Sequence, residues 1–161
     1  MSAYVAVCGP DPAPPDVAAL AEEIGRLVAR AGAVLVCGGL GGTMEAASRG
    51  AASEGGVVLG ILPGSDRTDS NAHLSVSIPT GMGEMRNALV VRAADAVIAV
   101  SGAFGTLSEI AFALKTGVPV VGLGTWELAK DGRSVEAFAR ASTAEEAVDM
   151  AMELGRKRGG Q

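Results

Sequence analysis

A doubly wound α/β domain, with six or seven mostly parallel strands and helices on both faces, is the fold that this sequence predicts. Three observations lead there. Short apolar runs alternate with segments of helical spacing along the chain. The runs are apolar throughout, as in parallel strands covered on both faces. Gly-rich turns follow two of the runs, at residues 38–42 and 101–105. In open α/β sheets, ligands bind at the carboxyl ends of the strands.

The elements follow in order. Tyr4–Cys8 reads as the first strand, and the loop Gly9-Pro10-Asp11-Pro12-Ala13-Pro14-Pro15 excludes helix or central strand. Residues 16–31 carry Val17, Leu20, Ile24, Leu27 and Val28 at helical spacing, and Gly32 stops them. Residues 33–37 form the second strand, and Thr43 caps a helix to about Glu54. Residues 57–61 form a third strand and 74–78 a short one. A helix over 82–94 precedes the strand 96–100. A helix over 106–116, a strand over 118–123 and an amphipathic helix over 143–158 complete the chain. With 161 residues and no linker or internal repeat, one domain over 1–161 is expected.

Hydrophobic residues make up 48% and charged residues 19%, the balance of a compact globular chain rather than a disordered one. The net charge of −5 argues against a general nucleic-acid binder, which needs a basic face. Cys8 and Cys37 each end an apolar run before Gly and read as small buried residues of a reducing compartment; no metal site is expected. No segment approaches the roughly 18 apolar residues of a membrane span. The expected location is the cytoplasm, with no membrane or nucleic-acid partner.

Three segments carry candidate chemistry. In the first loop, Gly38, Gly39, Gly42, Thr43 and Met44 lie between a strand and a helix. The loop lacks the last Gly of the dinucleotide fingerprint and has no Gly-Lys-Ser/Thr. It reads either as a phosphate cradle or as a tight turn needing positive φ. Arg86, with Asn87 beside it, falls in the first turns of a helix, where a cation opposes the macrodipole. It calls for an anion there, or else is a surface residue paired with Glu84 or solvated. Ser101, Gly102, Ala103, Phe104, Gly105 and Thr106 form a small, flexible turn into a helix start. Thr106-x-x-Glu109 is also a capping box, so Glu109 has both a structural and a chemical reading. Trp126, beyond a strand end, either covers a ligand base or packs under residues 127–134. His73, the one histidine, reads as a loop residue.

Met82-x-x-x-Arg86, Asp95-Ala96 and Ser101-Gly102-Ala103-Phe104-Gly105-Thr106-x-x-Glu109 resemble, in that order, the Lonely Guy (LOG) family. Its signature is an Arg-Lys pair followed by Pro-Gly-Gly-x-Gly-Thr-x-x-Glu. Gly38-Gly39-x-x-Gly42-x-Met44 resembles the family's first Gly-rich loop. The resemblance implies a Rossmann-like homodimer that cleaves nucleoside 5′-monophosphates at the N-glycosidic bond. Arg86 and Glu109 would be the catalytic pair, and Gly102, Gly105 and Thr106 the phosphate loop. The old label of lysine decarboxylase finds no pyridoxal-phosphate lysine pattern here.

Ser101, Ala103 and Asn87 depart from the signature's Pro, second Gly and Lys. Residues 80–87, with Ser101-Gly102 and Glu109-Ile110-Ala111, look closer to a branch that includes the molybdenum cofactor carrier proteins. The resemblance therefore implies a carrier or sensor of a small phosphate-bearing, nucleotide-like ligand, bound at the strand carboxyl edge. That ligand would be a nucleotide or a molybdopterin-type molecule, and no other cofactor is required. A nucleoside-monophosphate phosphoribohydrolase is the alternative, and a dimeric scaffold with a vestigial pocket the third reading.

Overall fold

The chain begins with strand β1 (Tyr4–Cys8) and a Pro-rich loop into helix α1 (Pro15–Arg30). Strand β2 (Val34–Cys37), helix α2 (Gly42–Ser53) and strand β3 (Val58–Leu62) follow. A loop over 63–75 reaches strand β4 (Val76–Pro79). A 3₁₀ turn (Gly83–Arg86) and helix α3 (Asn87–Arg92) lead to β5 (Ala96–Val100), helix α4 (Phe104–Thr116) and β6 (Val120–Leu123). A hairpin of β7 (Ala129–Lys130) and β8 (Arg133–Ser134) precedes β9 (Ala139–Arg140) and helix α5 (Ala144–Gly159). The structure, a computed structural model, describes residues 2–159; Met1, Gly160 and Gln161 of the expected domain lie outside the described residues.

Among the described residues, seven strands form one parallel sheet in the order β4-β3-β2-β1-β5-β6-β9. The prediction of a doubly wound sheet holds. Side chains alternate between its faces. Val5, Val7, Leu35, Ile98 and Val121 pack with Ile24 and Val28 under α1, α2 and α5. Ala6, Val36, Val97 and Ala99 pack with Val90, Val91, Ile110 and Ala113 under α3 and α4. Each large apolar side chain so buried contributes roughly 1.5–3 kcal/mol of transfer free energy.

Helices α1 and α2 cross almost backbone to backbone. A Cβ added at Gly25 would fall 2.0 Å from Ala47 O, and one at Gly50 would fall 1.9 Å from Glu22 O. No side chain fits at either position. The crossing is flanked by ion pairs Arg49–Glu22 and Arg30–Glu54, both 2.7 Å. They are partly exposed and contribute at most about 1 kcal/mol each.

Several boundaries differ from expectation for local reasons. The helix expected over 82–94 is a 3₁₀ turn followed by a six-residue helix. Gly81 and Gly83 sit at φ 64° and 57°, which breaks helical continuity before Arg86. The last strand before the hairpin begins at Val120, because Pro119 supplies only its carbonyl, which accepts from Val97 N–H. The strands β7, β8 and β9, two residues each, carry no periodic signal. Thr43 lies inside α2, whose N-cap is Gly41. Likewise α4 starts at Phe104 with Ala103 as N-cap, so Thr106 and Glu109 are interior residues and no capping box forms. A box of the same pattern, Thr143-Ala144-Glu145-Glu146, does form in part: Thr143 Oγ1 accepts from Glu146 N–H, and Glu146 accepts from Ser142 N–H.

Candidate functional site

Strand order reverses at β1. Crossovers run outward from β1 through β2 and β3 to β4, then the chain returns to place β5 on the other side of β1. Such a switch point leaves a crevice at the carboxyl ends of the strands, because the connections on its two sides diverge. Four segments meet there: the end of β1 at Cys8, the loop after β2, the 3₁₀ turn carrying Arg86, and the β5–α4 turn.

Arg86 is 7% exposed, an uncommon depth for a guanidinium. Its Nη2 donates to Gly38 O at 3.3 Å and its Nη1 donates to Asn87 Oδ1, while Nε is buried without a partner. Gly38 lets it approach. A Cβ there would lie 2.5 Å from Arg86 Nη2 and 2.7 Å from Met44 Sδ. Asn87 Nδ2 in turn donates to Ser108 Oγ at 3.3 Å, and Ser108 Oγ donates to Gly105 O at 2.6 Å. Arg86 is thus tied through Asn87 to the first turn of α4.

That turn is built for close approach. Ser101 takes a left-handed φ of 52°, rare for a residue with a side chain, and Gly102 takes φ 145°. A Cβ at Gly102 would meet Trp126 Nε1 at 2.9 Å, so the position requires Gly both for conformation and for space. Ala103 caps α4 without a side-chain bond, and the first helical N–H to be satisfied is that of Leu107, which donates to Ala103 O. The N–H groups of Phe104, Gly105 and Thr106 precede it. Thr106 is 2% exposed, and its Oγ1 is buried without a partner. Trp126 Nε1 donates to Ala103 O at 3.2 Å, and its ring lies 5.6 Å from that of Phe104. Trp126 thus lies beside the turn that starts α4.

The first Gly-rich loop is occupied by its own chain. Thr43 donates both its N–H and its Oγ1 to Pro10 O, at 3.1 and 2.9 Å. A Cβ at Gly42 would strike Pro10 O and Asp11 Cα, and one at Gly41 would lie 3.2 Å from Asp11 Oδ1. The Asp11 carboxylate therefore sits at the start of α2, where a phosphate would be repelled. Asn71 clamps the same loop from outside: its N–H donates to Gly39 O and its Nδ2 to Leu40 O. Within this loop Gly38 faces Arg86 and Met44 lies beside Gly38, whereas Gly39, Gly42 and Thr43 pack against other parts of the chain.

Glu109, 8% exposed, lies one turn inside α4. Burial pushes its carboxyl from the usual 4.5 up to about 7, against the Cys8 thiol, which approaches as a hydrogen-bond donor, and the Arg86 charge. Burial and the facing carboxylate push the Cys8 thiol well above its ordinary range, so it stays protonated. Cys8 and Cys37 are free and buried, as expected. The role of Cys8 beside Glu109 was not legible, because it depends on which strand lies next to β5. His73 is a half-buried loop residue whose N–H donates to Asn71 Oδ1. Among the described residues, no group of three or more metal-ligating side chains exists, and no helix is long and apolar enough to cross a membrane.

The fold and this site define a Rossmann-like α/β protein with a buried cation and an open helix start at its switch point. The SLOG cluster4 family model matches residues 2–153, and the chain belongs to that family, within the LOG-like group that the motifs resemble. A molybdenum cofactor binding protein from the phototrophic bacterium Rippkaea orientalis is 32% identical, covering 96% of this chain and 98% of that one, with a TM-score of 0.86. The Moco carrier protein of Chlamydomonas reinhardtii is 30% identical over 98% of this chain and 99% of that one, with a TM-score of 0.85. An uncharacterized protein of Archaeoglobus fulgidus is 47% identical over 104 residues, 65% of this chain and 68% of that protein.

Proposed function

We propose that the protein binds a small phosphate-bearing ligand, a nucleotide or a molybdopterin-type molecule, at the carboxyl edge of its sheet, and acts as its carrier. The observation that carries this reading is that two buried side-chain atoms, Arg86 Nε and Thr106 Oγ1, have no partner, the second of them in the open first turn of α4. Leaving such donors unsatisfied costs roughly 1–3 kcal/mol apiece. An anion supplies acceptors for them and for the free N–H groups of the helix. The likeness to molybdenum cofactor carriers supports the same reading. The phosphate contacts are Arg86, Ser101, Gly102, Ala103, Gly105 and Thr106, with Phe104 along the ligand. Gly38, Asn87 and Met44 hold the cation, and Gly39, Gly42 and Thr43 shape the neighbouring wall.

Glu109 favours a second reading, hydrolysis of the N-glycosidic bond of a nucleoside monophosphate. A carboxyl that titrates near 7 matches the needs of acid–base catalysis at neutral pH. Here water attacks the anomeric carbon, Glu109 takes the water's proton, and the C–N bond breaks with its electron pair going to the base, which takes up a proton from solvent and leaves ribose 5-phosphate. Calorimetry with nucleoside monophosphates and pterin phosphates, with chromatography for free base, tests both. Binding without base release is the expected result. Base release establishes the hydrolase, and silence across the panel leaves the scaffold with a vestigial pocket.

The functional unit is a homodimer in this proposal. The small residues of α2 are spent inside the chain, against α1. Val76 and Ile78 of the edge strand are in register with Leu59 and Ile61 and share the α3 side of the sheet. They lie exposed there together with Met82, Met85 and Leu89. Light scattering at micromolar concentration is expected to read twice the chain mass, and Met85→Glu with Leu89→Glu is expected to halve it. A parent chain at monomer mass refutes this assignment.

A further inference from the structure

Two cations beyond Trp126 have no partner of their own. Lys130 and Arg133 face each other across the last rung of the β7–β8 hairpin. Like charges directly opposite on antiparallel strands destabilise the pair. Among the described residues, neither forms an ion pair with an acid. Glu136, on the returning arm, accepts from Ser134 Oγ instead. The turn itself, Asp131-Gly132, has φ 52° and 72°, the two-residue form that makes a tight hairpin. The two cations are therefore held together by the backbone against their own repulsion.

They also share a face that is turned inward. Val135 N–H donates to Leu128 O, so Leu128 stands opposite Val135, one same-face position below the cationic rung. Leu128 is half-buried, while every other residue from 127 to 137 is exposed. The side of the hairpin that carries Leu128, Lys130 and Arg133 is thus the side toward the body of the protein. The hairpin pairs only with itself, outside the seven-stranded sheet. It hangs from two irregular arms, 125–128 and 135–138. Strands this short, without a packed face, have little to hold them in one position.

The arms are rooted on the turn that starts α4. Trp126 Nε1 donates to Ala103 O, and Trp126 O accepts from Arg140 Nη2 past the returning arm. A cavity of about 220 Å³ separates this root from the turn, with Ser101 and Gly102 on one side and Gly124, Thr125 and Trp126 on the other. Thr125 Oγ1 is buried at the root without a partner. On the turn's side, the charge available to a phosphate is incomplete. Arg86 is the one buried cation, and a helix start adds about half a charge. A phosphate group carries about −1.5 to −2 near pH 7.

We propose that the β7–β8 hairpin is a strap that closes over the phosphate bound at the start of α4 and sets Lys130 and Arg133 against it. This rests on the phosphate-ligand reading and adds a moving part to that same site. Without an anion, the two cations only repel each other. With one, they gain a shared counter-charge, so the ligand binds the closed form better and shifts the population toward it. The irregular arms take up the motion while the root stays on Ala103.

Trypsin reads the position of the strap, because it cuts after Lys and Arg in exposed, locally open chain. Inorganic pyrophosphate, at ten times its Kd for the parent, is the probe. Cleavage after Lys130 and Arg133, located by mass spectrometry, is expected to slow about tenfold, and cleavage after the exposed Lys157 of α5 to stay unchanged. Arg86→Ala is expected to lose most of that protection at the same concentration. Calorimetry is expected to show the double variant Lys130→Ala, Arg133→Ala binding pyrophosphate about tenfold more weakly than the parent, as fits the loss of charge-assisted contacts. Both positions are exposed, so the variant keeps the parent's fold, which circular dichroism checks. A parent that binds pyrophosphate but is cut at the unliganded rate, or a double variant of parent affinity, overturns the strap and leaves the anion site standing. Protection that survives Arg86→Ala places the anion on the hairpin alone and also overturns closure. No binding of pyrophosphate by the parent overturns both the strap and the phosphate reading.

Discussion

Glu109→Gln is expected to stabilise the folded protein by about 3 kcal/mol at pH 8 and to leave it nearly unchanged at pH 4. The folded carboxyl titrates at about 7 against an ordinary 4.5, because burial on the inner side of α4 disfavours its charge. Below pH 4.5 the carboxyl is protonated in both states and contributes nothing to the difference. As pH rises through the unfolded value the unfolded chain releases its proton first, so stability falls until the folded carboxyl also ionises near 7. Above that pH the full penalty remains. Gln cannot ionise and makes this part of the profile flat. The groups facing Glu109 are the Cys8 thiol and the Arg86 guanidinium; the thiol stays protonated over this range. Urea titrations between pH 4 and 9 decide the matter: parallel profiles for parent and variant contradict the buried, perturbed carboxyl. In the hydrolase reading the same change lowers base release by about 10²-fold or more. In the carrier reading it leaves ligand affinity largely intact.

Arg86→Ala removes the one buried cation of the site, and its expected effect is a 10- to 100-fold loss of affinity for any phosphate-bearing ligand. That range corresponds to about 1.5–3 kcal/mol for hydrogen bonds to a charged group. The change also acts on Glu109. Arg86 holds that carboxyl down, so its removal moves the pH midpoint of stability upward. Arg86→Lys restores charge but not geometry, because an ammonium cannot replace the planar guanidinium reaching Gly38 O and Asn87 Oδ1 together. Partial recovery of affinity is expected. Calorimetry with inorganic pyrophosphate measures it, and unchanged affinity in the Ala variant removes Arg86 from the ligand site.

The central strands were legible in the sequence because burial on both faces leaves uninterrupted apolar runs, as in Ala96–Val100. The two-residue strands β7, β8 and β9 have too few residues for any period to register. Arg86, Gly102 and Thr106 stood out by spacing alone. Of the two readings of Glu109, the structure removes the capping box: that pattern needs Thr106 at the helix boundary, and α4 begins two residues earlier, at Phe104. Cys8, Asp11 and Asn71 carried no signal. Their positions depend on β1 lying beside β5 and on a long loop folding back over the turn after β2, both facts of tertiary pairing. The different fates of the two Gly-rich loops were hidden for the same reason, since Pro10 and Asp11 close the first one from another segment.

The switch point also sets the order in which the molecule is completed. Tyr4 N–H donates to Asp95 Oδ2, a pairing of residues 91 apart in the chain, and β1 takes β5 as its parallel neighbour. Closing so long a loop is an ordering cost that must be met before its contacts return anything, and non-local pairing of this kind folds slowly. During synthesis the β1–β4 half emerges first, with one edge of β1 unpaired and able to template a strand from another chain. Arg86 arrives before β5, and the start of α4 only after it. A nascent chain therefore has no complete candidate site until the sheet has closed around its first strand, and in the carrier reading a ligand can be taken up only after that closure.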